Sequence, residues 1–340
     1  LLEEVFRSDS MLRCVACYAC MAKCPRGIRL SDVLLPLVKE QTLLRTREMP
    51  AELQRALQNT LRYGNPMGES SRKRAAWVST AKRPIPTMAE LRRPVDVLWF
   101  VECYTSYYAR GQDNSRATAR LFQALGIDFA ILGNEEKCAG DCGQLTWESG
   151  LFETLTDYNM EIFKKYRFQR IVTGDTHAFN AFRIRYPMYG FNYPLDHTTP
   201  FLARHVAQLK PKLTKKLNYT VTYHDACCLG RRAGFYEEGR TLLQAIPGLK
   251  LVEMVHNRVN SICCGGGGGG MWLDTYFKQK GMERLSERRI REAIATGADV
   301  LAVSCPYEIY RFEDALKTVP HSQPMVVRDV VELLAESLED

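Results

Sequence analysis

The chain has 340 residues, 46% of them apolar, and carries a net charge of +7, enough length for two to three ordinary domains with a substantial core. Its longest apolar runs, such as residues 95–101, fall far short of the about 20 residues that cross a bilayer, so no transmembrane segment of its own is expected. The positive charge gathers at Arg72-Lys73-Arg74, at Lys82-Arg83 and at Lys210-Pro211-Lys212 with Lys215-Lys216; no aromatic-plus-basic groove or recognition motif accompanies it, and no nucleic-acid partner is expected.

The opening Leu1-Leu2-Glu3-Glu4 has neither the basic leader nor the apolar stretch of a secretory signal, and because position 1 is not Met, some N-terminal sequence is expected to be absent. Twelve cysteines occur, clustered, with two adjacent pairs. Without a secretory signal such clustering argues for metal ligation over disulfides, and for a reducing, cytoplasmic setting.

In chain order, residues 1–65 read as a helical, cysteine-bearing domain. Leu34, Leu35, Leu37 and Val38 form one apolar face, and Leu53, Ala56, Leu57 and Leu61 another. Residues 66–94, punctuated by Gly, Pro and Ser, show neither period and read as a linker wrapping the surface. From residue 95 short apolar runs alternate with helical stretches. Strands are predicted at 97–101, 129–132, 170–173, 220–223, 250–253 and 299–303. Helices are predicted at 115–125, 151–165, 238–245, 282–296 and 306–316. That alternation predicts parallel α/β layers.

An internal repeat organises this part. Cys103 and Cys227 are 124 residues apart, Cys138 and Cys263 are 125 apart, and Asp175 and Cys305 are 130 apart. Each lies just after a predicted strand or in the loop following one. Parallel sheets bind ligands beyond the carboxyl ends of their strands, so three loops converge in a crevice in each half. The halves divide as 95–216 and 217–340.

Two motifs carry chemistry. Cys14-x-x-Cys17-x-x-Cys20-x-x-x-Cys24-Pro25 has the spacing by which three thiolates grip three irons of a cubane. It resembles bacterial-type ferredoxins; a zinc knuckle would instead show two separated pairs. The fourth cysteine of such a run serves a second cluster in two-cluster ferredoxins. Cys24 therefore either closes the same cluster or belongs with a motif in the absent N-terminus. The second constellation is His224-Asp225-Ala226-Cys227-Cys228, then Cys263-Cys264 followed by six glycines, then Cys305-Pro306. Cys227, Cys263, Cys264 and Cys305 suffice for one [4Fe–4S] cluster. Gly265 and Gly266 would let backbone approach it and donate N–H to sulfide. A phosphate loop is excluded because Met271-Trp272 follows the glycines where Lys and Ser or Thr would be needed.

With Glu136-Lys137-Cys138, Gly140-Asp141, Leu229-Gly230-Arg231, Cys263-Cys264-Gly265 and Ser304-Cys305-Pro306 in view, residues 95–338 resemble the tandem CCG domains of heterodisulfide-reductase-type iron–sulfur subunits. These include the B and D subunits and a related subunit of the membrane complex associated with dissimilatory sulfite reductase. The front segment is similar to their C subunit or fused N-terminal domain. The resemblance implies a helical ferredoxin-like [4Fe–4S] domain followed by two pseudo-repeated CCG α/β domains, with at least two [4Fe–4S] clusters and room for a third or a non-cubane one.

It further implies an electron-transfer subunit of a multi-subunit redox complex. The partners would be a flavoprotein, other iron–sulfur subunits and a quinone-reactive membrane subunit, through which the protein would meet a membrane. The alternative is a thiol/disulfide oxidoreductase working at the second-half cluster, with Cys228 as the candidate exchange thiol.

Departures qualify the match. Glu308 stands where the resemblance places a fifth cysteine; of the two roles open to it, iron ligand or surface carboxylate, the surface carboxylate is expected, and Cys228 is either a free thiol or a replacement for the lost ligand. In the first half Ala139, Asp175 and Ala178 replace cysteines. Cys103, Cys138, Cys142 and Asp175 remain as a second set of metal candidates, unless that half survives as scaffold. His224-Asp225 is expected to fix its loop by hydrogen bonds, and His177 and His256 to be structural or surface residues.

Overall fold

The structure is a computed structural model that describes Glu4 and residues 11–46, 49–146 and 148–339. Residues 1–3, 5–10, 47–48, 147 and 340 lie outside the described residues, and with them most of the opening segment considered for a signal. Two four-stranded sheets dominate, and every strand in both is parallel to its neighbours. The first contains β1 (Val95–Phe100), β2 (Phe129–Ile131), β3 (Phe168–Thr173) and β4 (Leu195–His197) in the order β2-β1-β3-β4. The second contains β5 (Thr220–Tyr223), β6 (Lys250–Val252), β7 (Val300–Val303) and β8 (Val326–Asp329) in the order β6-β5-β7-β8. The mixed α/β class and the duplication are as expected, and the third segment of the repeat falls at corresponding strand ends.

In each sheet the chain steps out to one side of its first strand and then crosses to the other. The loops after β1 and β3, and after β5 and β7, therefore diverge at a topological switch point, which opens a crevice at the carboxyl ends of the strands. Two strands escaped the sequence pattern, β4 and β8. Both are edge strands of three or four residues with polar members (Asp196, Arg328 and Asp329), so neither offers a run long enough to read.

The sheets lie back to back across a shared helical layer. Val97, Trp99 and Val101 of the β1 segment face one core together with Val221, Tyr223, Val300 and Ala302 of the second sheet. Leu98 and Phe100 point the other way into an outer core with Phe163 and Phe182. Leu301, Val303 and Val327 face a third core with Ile309 and Phe312. The shared layer crosses between halves: the helix Ala109–Ala124 packs on Val330–Ser337, and Thr198–Arg204 packs on Glu238–Ala245.

Residues 66–94 do more than wrap the surface. Trp77 is 2% exposed and packs edge-on to Trp99, Arg74 is buried, and Thr87 bridges Ile131 alongside β2. The N-terminal segment, with helices Leu35–Thr46 and Ala51–Tyr63, packs onto the crevice. Leu53 and Leu57 share a cluster with Cys103, Cys138 and Leu151.

Candidate metal centre

In the second half β5 delivers His224, Asp225 and Cys227, β7 delivers Ser304 and Cys305, and the long loop after β6 returns Cys263 and Cys264 to the same end. Cys227 and Cys263 stand 4.0 Å apart, sulfur to sulfur. The Gly265 amide donates to the Cys263 sulfur at 3.3 Å, which accounts for one of the two glycines singled out from the sequence. Gly266 lies alongside: a Cβ there would sit 3.6 Å from the Cys264 sulfur. From the other half, the Thr176 hydroxyl donates to Cys305 at 3.3 Å. Burial pushes the Cys305 thiol well up; hydrogen bonding to Cys263 and then burial do the same to Cys264. Thiols held this way ionise at the cost of burying charge unless a cation offsets it. Asp225 is committed elsewhere: it pairs with Arg240 at 2.6 Å and accepts the Arg258 amide at 2.7 Å, so it fixes its loop.

The donor set fits an iron–sulfur cluster. Four cysteines come from three loops at one end of the second sheet, two of them 4.0 Å apart, an amide and a hydroxyl are aimed at sulfur, and Glu308 holds a buried carboxylate oxygen with no hydrogen-bond partner. That last feature corrects an expectation. Glu308 is 3% exposed, because Pro306 starts a helix directly at the strand end and turns its third residue into the crevice rather than to water.

The first half retains the frame with a different lining. Cys103 follows Glu102, whose φ of 74° turns the chain sharply out of β1. The Glu102 carboxylate accepts the amides of Cys103 at 2.9 Å and Ala139 at 2.7 Å. Glu136 accepts the amides of Val101 and Glu102 and pairs with Arg74 at 2.7 Å. Arg74 in turn points both terminal nitrogens at the Cys103 sulfur from 3.6 Å. Glu102, Cys103 and Cys138 bring one ligand atom each within 4.8 Å of one another, and Cys142 packs in the same cluster as Cys138. Asp175 caps the helix Thr176–Ile184, accepting the amides of His177 at 2.7 Å and Ala178 at 3.3 Å. Its burial raises its carboxyl above the usual range. His177 is partly buried. Its Nδ1 meets Asp141 at 2.8 Å; burial alone would lower its pKa, but the carboxylate raises it to about 9. A cavity between the halves is lined by Glu102, Cys138, Asp175, His177, Gly267 and Tyr307.

The N-terminal run lies across this crevice. Cys17 packs against the cluster that contains Cys263, and the influence of the Cys263 thiol outweighs burial and brings the Cys17 pKa down to about 6. Lys39 donates to the Cys14 carbonyl at 2.9 Å and to that of Leu145 at 3.3 Å. The glycine run forms the bed: a Cβ at Gly268 would lie 2.3 Å from the Cys14 carbonyl oxygen, and one at Gly267 would lie 2.5 Å from that of Val15. Cys20 is exposed and meets the Ser31 hydroxyl at 3.1 Å. Cys24 sits in a turn whose amides, that of Ile28 first, draw its pKa down. Cys228 is buried beside Cys227. The Cys227 contact lowers its pKa, but burial together with the charge of Asp141, Cys305 and Cys264 outweighs it and the thiol is raised overall, the reverse of an activated exchange thiol. His256 is exposed and pairs with Glu292 at 2.9 Å.

The CCG cysteine-rich domain matches residues 97–183 and again 221–307, the two segments that carry the strand-end cysteines. A probable iron-sulfur-binding oxidoreductase, FadF, of Bacillus subtilis is 34% identical over 99% of this chain and 48% of its own length. An EtfAB:quinone oxidoreductase of Syntrophomonas wolfei is 30% identical over the whole chain and 48% of its own length. The dihydromethanophenazine:CoB–CoM heterodisulfide reductase of Methanosarcina mazei has a subunit that is 32% identical over 99% of this chain and 80% of its own length. The chain thus spans about half the length of the first two relatives. Among the described residues no helix is long and apolar enough to cross a membrane.

Proposed function

Because the chain belongs to the CCG cysteine-rich domain family, alongside that heterodisulfide reductase component, we propose that it is the electron-carrying iron–sulfur portion of a multi-subunit heterodisulfide-reductase-like complex. Cys227, Cys263, Cys264 and Cys305 would hold one cluster and Cys14, Cys17, Cys20 and Cys24 another. When bound, such clusters supply one-electron redox chemistry.

The chain's own groups do the rest. The Gly265 amide and the Thr176 hydroxyl stabilise sulfur charge, burial of Cys263, Cys264 and Cys305 keeps water out, and Arg74 offsets negative charge at Cys103. The observation that carries this reading is the packing of Cys17 against the core cluster that contains Cys263, which sets the two donor sets side by side. The names of the relatives favour an electron-transferring flavoprotein on one side and a quinone-linked component on the other, and therefore a protein that meets a membrane through partners from the cytoplasmic face.

Iron and acid-labile sulfide, each about eight per chain for two four-iron clusters, with two EPR-distinct centres after anaerobic preparation, would bear the proposal out. Colourless, iron-free protein would end it. A second reading is favoured by the cavity: its position between Cys138, His177 and the glycine run could admit a thiol or disulfide substrate. A centre whose EPR signal appears only with such a substrate would select that reading.

A further inference from the structure

A glutamate in the first turn of a helix ordinarily faces water and gains from the positive helix end. Glu308, in the first turn of Pro306–Thr318, is instead 3% exposed. Its Oε1 lies 3.1 Å from Nε2 of His224, and its Oε2 has no hydrogen-bond partner. Ligand atoms of His224, Cys264 and Glu308, all buried, lie within 4.8 Å of one another. A buried carboxylate oxygen left without a partner is costly, and natural folds keep one chiefly where something else satisfies it.

His224 cannot be the metal ligand of this trio. The Nε–H of Arg289 donates to His224 Nδ1 at 3.1 Å, and arginine stays protonated in proteins. Nδ1 is therefore an acceptor, and the ring proton sits on Nε2, the nitrogen that faces Glu308. A protonated nitrogen offers no lone pair to a metal. Arg289 is itself held in place by Glu292 at 2.7 Å and the His256 carbonyl at 2.7 Å, so the tautomer is fixed from outside the crevice. Two anionic donors remain at this corner, the Cys264 sulfur and the Glu308 carboxylate.

Resting on the reading that Cys227, Cys263, Cys264 and Cys305 hold an iron–sulfur cluster, we propose that Glu308 is a further ligand to that cluster through its carboxylate. One iron then takes an oxygen ligand beyond the four thiolates, and His224, whose Nε2 lies 3.1 Å from Oε1, is the positioning residue beside the carboxylate. Oxygen is a harder donor than thiolate and less covalent toward iron, so this iron is electronically distinct.

The test uses the full chain, prepared anaerobically with ⁵⁷Fe and examined by Mössbauer spectroscopy, in the parent and in Glu308→Gln, Glu308→Cys and Cys305→Ala. The part of the spectrum that Cys305→Ala removes marks the second-half centre. Within it the parent should show one iron with a larger isomer shift than the others. Glu308→Cys should merge that iron with the thiolate-bound set. Glu308→Gln keeps an oxygen to face His224 Nε2 but lacks the anionic donor, so the distinct signal should shift or that iron be lost. If both Glu308 variants fold, by circular dichroism, and keep the parent's spectrum and iron content, Glu308 only pairs with His224 and the assignment fails. Should Glu308→Cys not fold, Glu308→Gln alone decides in the same way. A parent from which Cys305→Ala removes no iron overturns the cluster reading itself, a result distinguishable from failure at Glu308.

Discussion

Cys17 packs against the core cluster that holds Cys263, so a residue from the front of the chain and one from the loop after β6 come together in one place. The contact exists because the glycine run gives the Cys14–Val15 backbone a surface without side chains.

Replacing Gly268 with Ala tests that bed. The new Cβ would fall 2.3 Å from the Cys14 carbonyl oxygen, at a backbone φ of +58° that side-chain-bearing residues rarely adopt. A loss of roughly 1–3 kcal/mol in urea unfolding is expected, together with weaker magnetic interaction between the two reduced centres by EPR. Parent-like stability and an unchanged interaction would mean that the N-terminal run lies elsewhere.

Glu136→Ala should be among the most damaging single changes outside the cysteines. It strips the amides of Val101 and Glu102 of their acceptor and leaves Arg74, 2% exposed, without its partner. Breaking a buried pair from one side costs about 3–5 kcal/mol. Denaturant titration of the purified variant checks this, and a loss under about 1 kcal/mol would contradict the buried network around Arg74.

Asp175 is engaged as a helix cap, which separates two roles that the sequence left open. Asp175→Asn keeps an acceptor for the amides of His177 and Ala178 and should cost little. Asp175→Ala should cost about 1 kcal/mol. Iron content equal to the parent's in Asp175→Asn would agree with capping alone, whereas loss of iron in that variant would make Asp175 a ligand.

Stability should also decline at acid pH through His197. Its ring is buried, with Nδ1 accepting the Thr199 amide at 3.1 Å and Nε2 donating to the Gly174 carbonyl at 2.9 Å. Burial lowers its pKa from 6.5 to about 4. The folded protein therefore binds this proton less readily than the unfolded chain does. The stabilisation is complete above pH 6.5 and is lost as pH falls toward about 4, by roughly 3 kcal/mol at most. Stability profiles of the parent and His197→Asn, which can still accept the Thr199 amide, should differ in slope between those two pH values and run parallel above them.

The duplication and the strand-end cysteines were legible because parallel sheets place loops by rule: a cysteine after a predicted strand had the crevice of its own half to enter. Glu308 was not legible. A charged residue near a helix start reads as solvent-facing, and only the placement of Pro306 at the strand end turns it inward. The glycine run could be seen to accept close backbone approach, yet nothing local showed that the visitor includes Cys14 and Val15, because that contact depends on tertiary packing across most of the chain. Trp77 and Arg74 were hidden for a related reason. Isolated in an aperiodic stretch, each is buried by partners (Trp99 and Glu136) that lie on other elements.

The crossed helical layer has a consequence for how the molecule can be divided. Val330–Ser337 seals the apolar side of Ala109–Ala124, and Thr198–Arg204 does the same for Glu238–Ala245, so each repeat carries part of the other's interior wall. Cut between the repeats, the chain would yield two fragments with bare hydrophobic faces, each sticky alone and each complementary to the other. Co-expressed, they should reassemble into one noncovalent particle.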